Sequence, residues 1–370
     1  MKQQKRRGPS RLISALLAMA MVLSMTPFAW AADETVTDFA GLKNAITSAT
    51  AGDTITLGAD ITMTEKLTIN KNITIVGGDY TITGVSNDVS VYFEISGGVL
   101  TISDATLTGF GDTAATSTGT GVFKIPAEAD ASTSGIVATG LTVENFNRAA
   151  FDVRQGSFTI TDCIINCDNG QKNMLTKGVV AGYSSDSSVT GTITGGEING
   201  ADSDFATEDG SGWTASGIEV SVGASVVVEV VSLESMKAGS RVARSDGPSN
   251  GTASVTVKDC TITANDFALR IFESNSTSGE PKGEAELTVE GGTYQGDVRI
   301  SRASTSTETG NANNSTITIT GGTFTDANGD KVDVSNFIPS GMTQNENGEV
   351  TVNTTAVAQI GTAAYATLAE

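Results

Sequence analysis

The chain predicts an all-β fold, a right-handed parallel β-helix opened by a short N-terminal capping helix. A loose hexad of the form aliphatic, any, Asp or Gly, small, any, apolar returns about every 30 residues, beginning at Ile102, Ile160, Ile193, Val257, Val289 and Ile319. Each copy reads as a short strand, a tight turn and a second short strand, with apolar residues and Thr alternating at period two. A unit that small cannot bury its own apolar face and must stack on its neighbours. The regular small turn after each strand argues against an antiparallel sandwich.

The elements follow in order. Lys2, Lys5, Arg6, Arg7 and Arg11 precede an apolar run over residues 12–25, and Ala29-Trp30-Ala31 supplies a small-x-small cleavage site. Residues 1–31 therefore read as a secretory signal peptide. The run of roughly 14 residues is shorter than a membrane span requires. The mature chain is expected to be secreted or held at the cell surface, with no membrane span after signal removal. Phe39, Leu42, Ala45, Ile46 and Ala49 then fall at helical spacing, with Thr37 or Asp38 as N-cap. Period-two strands follow at Ile55-Thr56-Leu57, Leu67-Thr68-Ile69, Ile73-Thr74-Ile75 and Tyr80-Thr81-Ile82. The β-helix domain is expected to span residues 32–353, with Thr/Gly/Ser/Asn-rich loops thrown out over 113–121, 184–188, 245–251 and 301–315. Tyr365-Ala366-Thr367-Leu368 aligns with Phe39-Ala40-Gly41-Leu42, so residues 354–370 read as a linker and the start of a further domain.

Composition narrows the function. Of 22 basic residues, five lie in the signal and none of the 42 acids does, so the mature charge is 17 minus 42, or −25. That charge repels nucleic acid and anionic lipid, and neither is an expected partner. Histidine is absent, which removes the commonest general base, the commonest zinc ligand and every His-containing nucleophile triad. Cys163 and Cys260 occupy equivalent positions several coils apart, so the cysteines are expected as small buried thiols, with Cys163–Cys167 as an alternative bridge.

The capping helix, the segment Gly52-Asp53-Thr54-Ile55-Thr56-Leu57 and the strand leading to Ile75-Val76-Gly77-Gly78 resemble the start of secreted right-handed β-helix proteins of the pectate-lyase-like superfamily. The stretch from the Gly-Gly-Thr-Phe324 copy to Val350 resembles a terminating segment of adhesin-like surface proteins of Gram-positive bacteria. The first resemblance implies polysaccharide chemistry on an outer face, where such lyases use an Arg or Lys base with carboxylate-held calcium. The chain departs from it at every catalytic signature, lacking the Gly-His-Gly and Arg-x-Lys segments of polygalacturonases and the Trp-Ile-Asp-His segment of pectate lyases.

A second strand in each coil places Asp152, Glu219, Arg270 and Arg299 between apolar neighbours, with Arg154 and Arg241 in the same series of strands. Period two directs those charges outward. Arg241, Arg270 and Arg299 recur at a constant spacing of 29 residues, so stacking sets them about 4.8 Å apart on one face. If the chain is an enzyme, a polysaccharide lyase or glycoside hydrolase, then Asp152, Arg154, Glu219, Arg270 and Arg299 carry the chemistry. Otherwise the column is an ionic ladder that satisfies exposed strands. Arg241, Arg270 and Arg299, with Trp213, the only tryptophan of the mature chain, are the ligand-binding candidates for a polysaccharide or surface glycoprotein. Asp202 and Asp204 with Glu208 and Asp209 form a carboxylate-dense loop beside Trp213. It is of the kind that holds calcium, though without EF-hand spacing, and no other cofactor is expected. The reading that results is a non-catalytic adhesion or interaction module.

Overall fold

The computed structural model describes residues 33–85, 90–110, 121–167, 176–184, 186–200, 216–244, 251–273, 284–302, 307–308, 315–353, 358–360 and 363–365. The expected signal peptide, the carboxylate loop with Trp213, and residues 366–370 of the expected further domain lie outside them.

The fold is a parallel β-helix built as three columns of stacked strands. One column is an 11-stranded, wholly parallel sheet that begins with Asp33–Val36 and Thr54–Leu57 and ends with Glu284–Glu290 and Ser315–Ile319. Each of its strands after the first turns directly into the second column, as Val99–Ser103 does into Thr106–Phe110 and Gly156–Thr161 into Ile164–Asn166. The third column stacks Leu67–Ile69, Phe93–Ile95, Phe123–Ile125, Ala149–Val153, Lys177–Ala181 and Ser216–Val220. In the last coils the second and third columns merge into long irregular strands, Ser232–Arg244, Thr261–Glu273 and Thr293–Arg302, whose pairing shifts register partway along.

The Asp/Gly slot of the hexad is the turn between the first two columns, and in every copy but the last, at Gly321, it takes a left-handed backbone. Asp104, Gly140, Asp162, Gly195, Asp259 and Gly291 all have positive φ, from 46° to 89°. Asp tolerates this region and Gly is indifferent to it. Hydrogen bonds continue across the corner: Asp162 N–H donates to Thr194 O at 3.0 Å and Gly195 N–H to Glu229 O at 3.0 Å. One copy departs from the pattern, with Val230 at φ 57° in the same slot.

Inside, side chains stack on their equivalents one coil away. Phe93, Phe123 and Phe151 share one register, with ring centroids 5.3 and 5.0 Å apart. Asn166 and Asn199 do the same with an amide hydrogen bond of 3.1 Å. Cys163, Cys167 and Cys260 are free and buried, as expected.

Both ends are closed. The helix Phe39–Ser48 is N-capped by Asp38, whose carboxylate accepts from Gly41 N–H at 2.7 Å, and it buries Leu42, Ala45 and Ile46. Lys71 Nζ donates to Thr47 O and Ala49 O, placing a cation at the helix C-terminus where the dipole favours it. The strand Asp33–Val36, which precedes this helix and pairs with Thr54–Leu57, was not expected. At the far end, Gly322–Thr325 pairs in parallel with the preceding coil and antiparallel with Glu349–Val352. Val334, Phe337 and Val350 are buried beneath it. The Asp326-x-Asn328-x-Asp330 spacing is a turn, with Asp326 Oδ1 accepting from the N–H groups of Asn328 and Asp330. Part of the expected 301–315 loop pairs instead, with Thr307–Glu308 antiparallel to Ile300 and Ser301.

Candidate functional site

The third column carries one row of charged positions interrupted only at Val180. Glu94, Lys124, Asp152, Val180, Glu219, Arg241, Arg270 and Arg299 are successive register partners. Acids concentrate toward the capping helix and the arginines toward the opposite end. The expected stacking of Arg241, Arg270 and Arg299 on neighbouring strands is observed. Phe151 and Ile218, beside Asp152 and Glu219, point into the core.

These charges do not lie open to solvent as their alternation implied. Asp152 is 1% exposed, Glu219 8% and Arg270 2%. Alternation fixes the face on which a side chain starts but not what lies over it. Arg154 covers Asp152 with two hydrogen bonds, Nε to Oδ1 at 3.1 Å and Nη2 to Oδ2 at 3.0 Å. Lys177, itself buried, donates to Glu219. The Arg270 guanidinium lies 4.6 Å from the Phe267 ring centroid and 4.7 Å from that of Phe272. Arg299 reaches the same Phe267 ring at 3.9 Å and pairs with Asp297 at 3.3 Å while staying partly exposed.

At the acidic end, Glu94 accepts from Lys66 at 3.0 Å and from Tyr92 Oη at 3.1 Å. Lys66 and Lys124 both lie over the Tyr92 ring, at 5.5 and 5.9 Å. The hydrogen bond to Glu94 raises the Lys66 pKa, and burial, with Glu94 beside it, raises that of Tyr92.

The structure thus brings together Asp152 with Arg154 and Arg270 with Arg299. Glu219 sits two strands from Asp152, about 9–10 Å by strand spacing, and each carboxylate is engaged by its own cation. For Arg241 only the backbone register is described. Asp202, Asp204, Glu208, Asp209 and Trp213 lie outside the described residues, and among the described residues no group of three or more His, Cys, Asp or Glu is gathered to hold a metal. Sequence reasoning missed Glu94, Lys124, Lys177, Tyr183, Phe267 and Phe272. The first two were findable, since Phe93-Glu94-Ile95 and Phe123-Lys124-Ile125 repeat the apolar, charged, apolar pattern of Phe151-Asp152-Val153.

No family model and no curated protein matches this chain. Its class is defined by its architecture, a capped parallel β-helix with a charged column along one of its three faces.

Proposed function

We propose that the chain is a secreted or cell-surface β-helix of the pectate-lyase-like kind that works as a non-catalytic adhesion module, presenting a glycan-binding surface. One observation carries this reading: the carboxylates and cations of the third face are engaged with one another. The Arg154–Asp152, Lys177–Glu219 and Arg299–Asp297 pairs hold that face in a fixed form. A general acid or base has to exchange a proton with substrate, whereas a carboxylate clamped by two guanidinium hydrogen bonds is suited to positioning. The signal-like N-terminus and the acidic mature charge fit an extracellular setting. A polysaccharide lyase or hydrolase is the second reading, favoured by Arg270 and Arg299 stacked within one column as Glu219.

A glycan-array screen of the mature chain, with and without calcium, tests the proposal. Binding of a defined glycan class supports it. Silence across the array contradicts it and directs attention to protein partners. Binding that appears only with calcium implicates the carboxylate loop around Asp202, Asp204, Glu208 and Asp209.

A further inference from the structure

Tyr183 is the most exposed aromatic ring among the described residues, at 58% of its surface, in a chain with only 5% aromatic residues. The backbone beneath it is held in place. Gly182 N–H donates to Val153 O at 2.9 Å, and the N–H groups of Tyr183 and Ser184 both donate to Ser187 Oγ, at 3.2 and 3.1 Å. The Gln155 side chain from the preceding coil donates to Asp186 O and accepts from Ser188 N–H. The ring itself is backed by Arg154, whose guanidinium carbon lies 4.5 Å from its centroid. Arg154 in turn is fixed by the two hydrogen bonds to buried Asp152.

The result is a preorganised platform: an aromatic face open on one side, braced on the other, with polar groups at its rim. Asp152 takes two of the five guanidinium N–H groups, leaving three as donors beside the phenol. A pyranose ring matches that chemistry, with an apolar C–H face to stack and hydroxyls around its edge. The charge of Arg154 is compensated by Asp152 and by nearby Glu128, in a strongly acidic chain. Because Arg154 is already paired with Asp152, it offers no uncompensated positive charge to a uronate, and an uncharged sugar needs none.

We propose that Tyr183 and Arg154 form a subsite for a neutral pyranose residue of a longer glycan. This rests on the glycan-binding reading above and names a place and a sugar class for it. The test is isothermal titration of the mature chain with neutral xylo-, manno- and cello-oligosaccharides and with uronate oligomers, repeated for Tyr183→Ala and Tyr183→Phe. A neutral oligosaccharide should bind, Tyr183→Ala should weaken it at least about tenfold, and Tyr183→Phe should stay within about threefold of the native chain. Thermal melts of both variants should match the native chain, since the ring is exposed. Neutral-sugar binding that is unchanged in Tyr183→Ala overturns this subsite and leaves the glycan-binding reading standing, as does binding confined to uronates. Absence of binding to every oligosaccharide contradicts both.

Discussion

Asp162 stands directly over Gly195: its Oδ1 lies 2.1 Å from the point a Cβ on Gly195 would occupy. Asp259 and Gly291 repeat the arrangement three coils further on, beyond Val230, again at 2.1 Å. Where Asp holds this corner, Gly follows it in the next coil, because the carboxylate of one fills the space a side chain of the next would need. Gly195→Ala meets both that clash and the left-handed cost at φ 65°, and should destabilise by about 2–4 kcal/mol. In an Asp162→Gly background the same substitution should cost only about 1–2 kcal/mol. Urea unfolding of the four chains measures the difference. Additive penalties would show that the carboxylate is not the obstacle.

Val230 is the weak copy of that corner, a β-branched residue at φ 57° with 59% of its surface exposed. Little burial is lost by removing its side chain, and the backbone strain is relieved. Val230→Gly should stabilise the fold by about 1 kcal/mol, seen as a rise in melting temperature. A fall would mean that the side chain makes contacts that outweigh the strain.

Arg270 and Arg299 should part company. The two share one column and one aromatic ring, but only Arg270 is fully buried. Arg270→Ala should destabilise by about 3 kcal/mol, through lost packing on Phe267 and Phe272. Arg299→Ala, paired to a half-exposed Asp297, should cost about 1 kcal/mol or less. Equal effects in chemical denaturation would contradict the difference in burial.

The buried thiols make the fold sensitive to alkali. Burial raises the Cys163 pKa from its ordinary 9.0 to about 11, and raises those of Cys167 and Cys260 as well. The unfolded chain loses these protons first, so stability is complete below about pH 9 and falls as pH rises toward the folded values. Cys163 alone should account for about 1 kcal/mol by pH 10. Thiol-specific reagents at pH 8 should react only on unfolding, and a thiol modified at native rates would contradict the burial.

Much of the fold was legible because the corner demands residues that tolerate positive φ, and Asp and Gly advertise that demand. The copy at Val230 stayed hidden for the same reason, since it breaks the chemical rule while keeping the backbone. The strand Asp33–Val36 was hidden because it lies before the capping helix and is largely exposed, offering little apolar pattern. At the candidate site, alternation identified the column and the register of Arg241, Arg270 and Arg299. It could not show the burial of Asp152, Glu219 and Arg270, which depends on Arg154, Lys177 and Phe267 folding over the face. Tyr183 was invisible as a candidate, because its proximity to Arg154 comes from stacking two coils rather than from any local spacing.

The most direct test of the central claim is mass spectrometry of a glycan that the mature chain binds, after prolonged incubation with and without calcium. A display module returns that glycan intact, with no new reducing ends and no unsaturated termini. Unsaturated or shortened products that disappear in Arg299→Ala would contradict the account and make the charged column an active site.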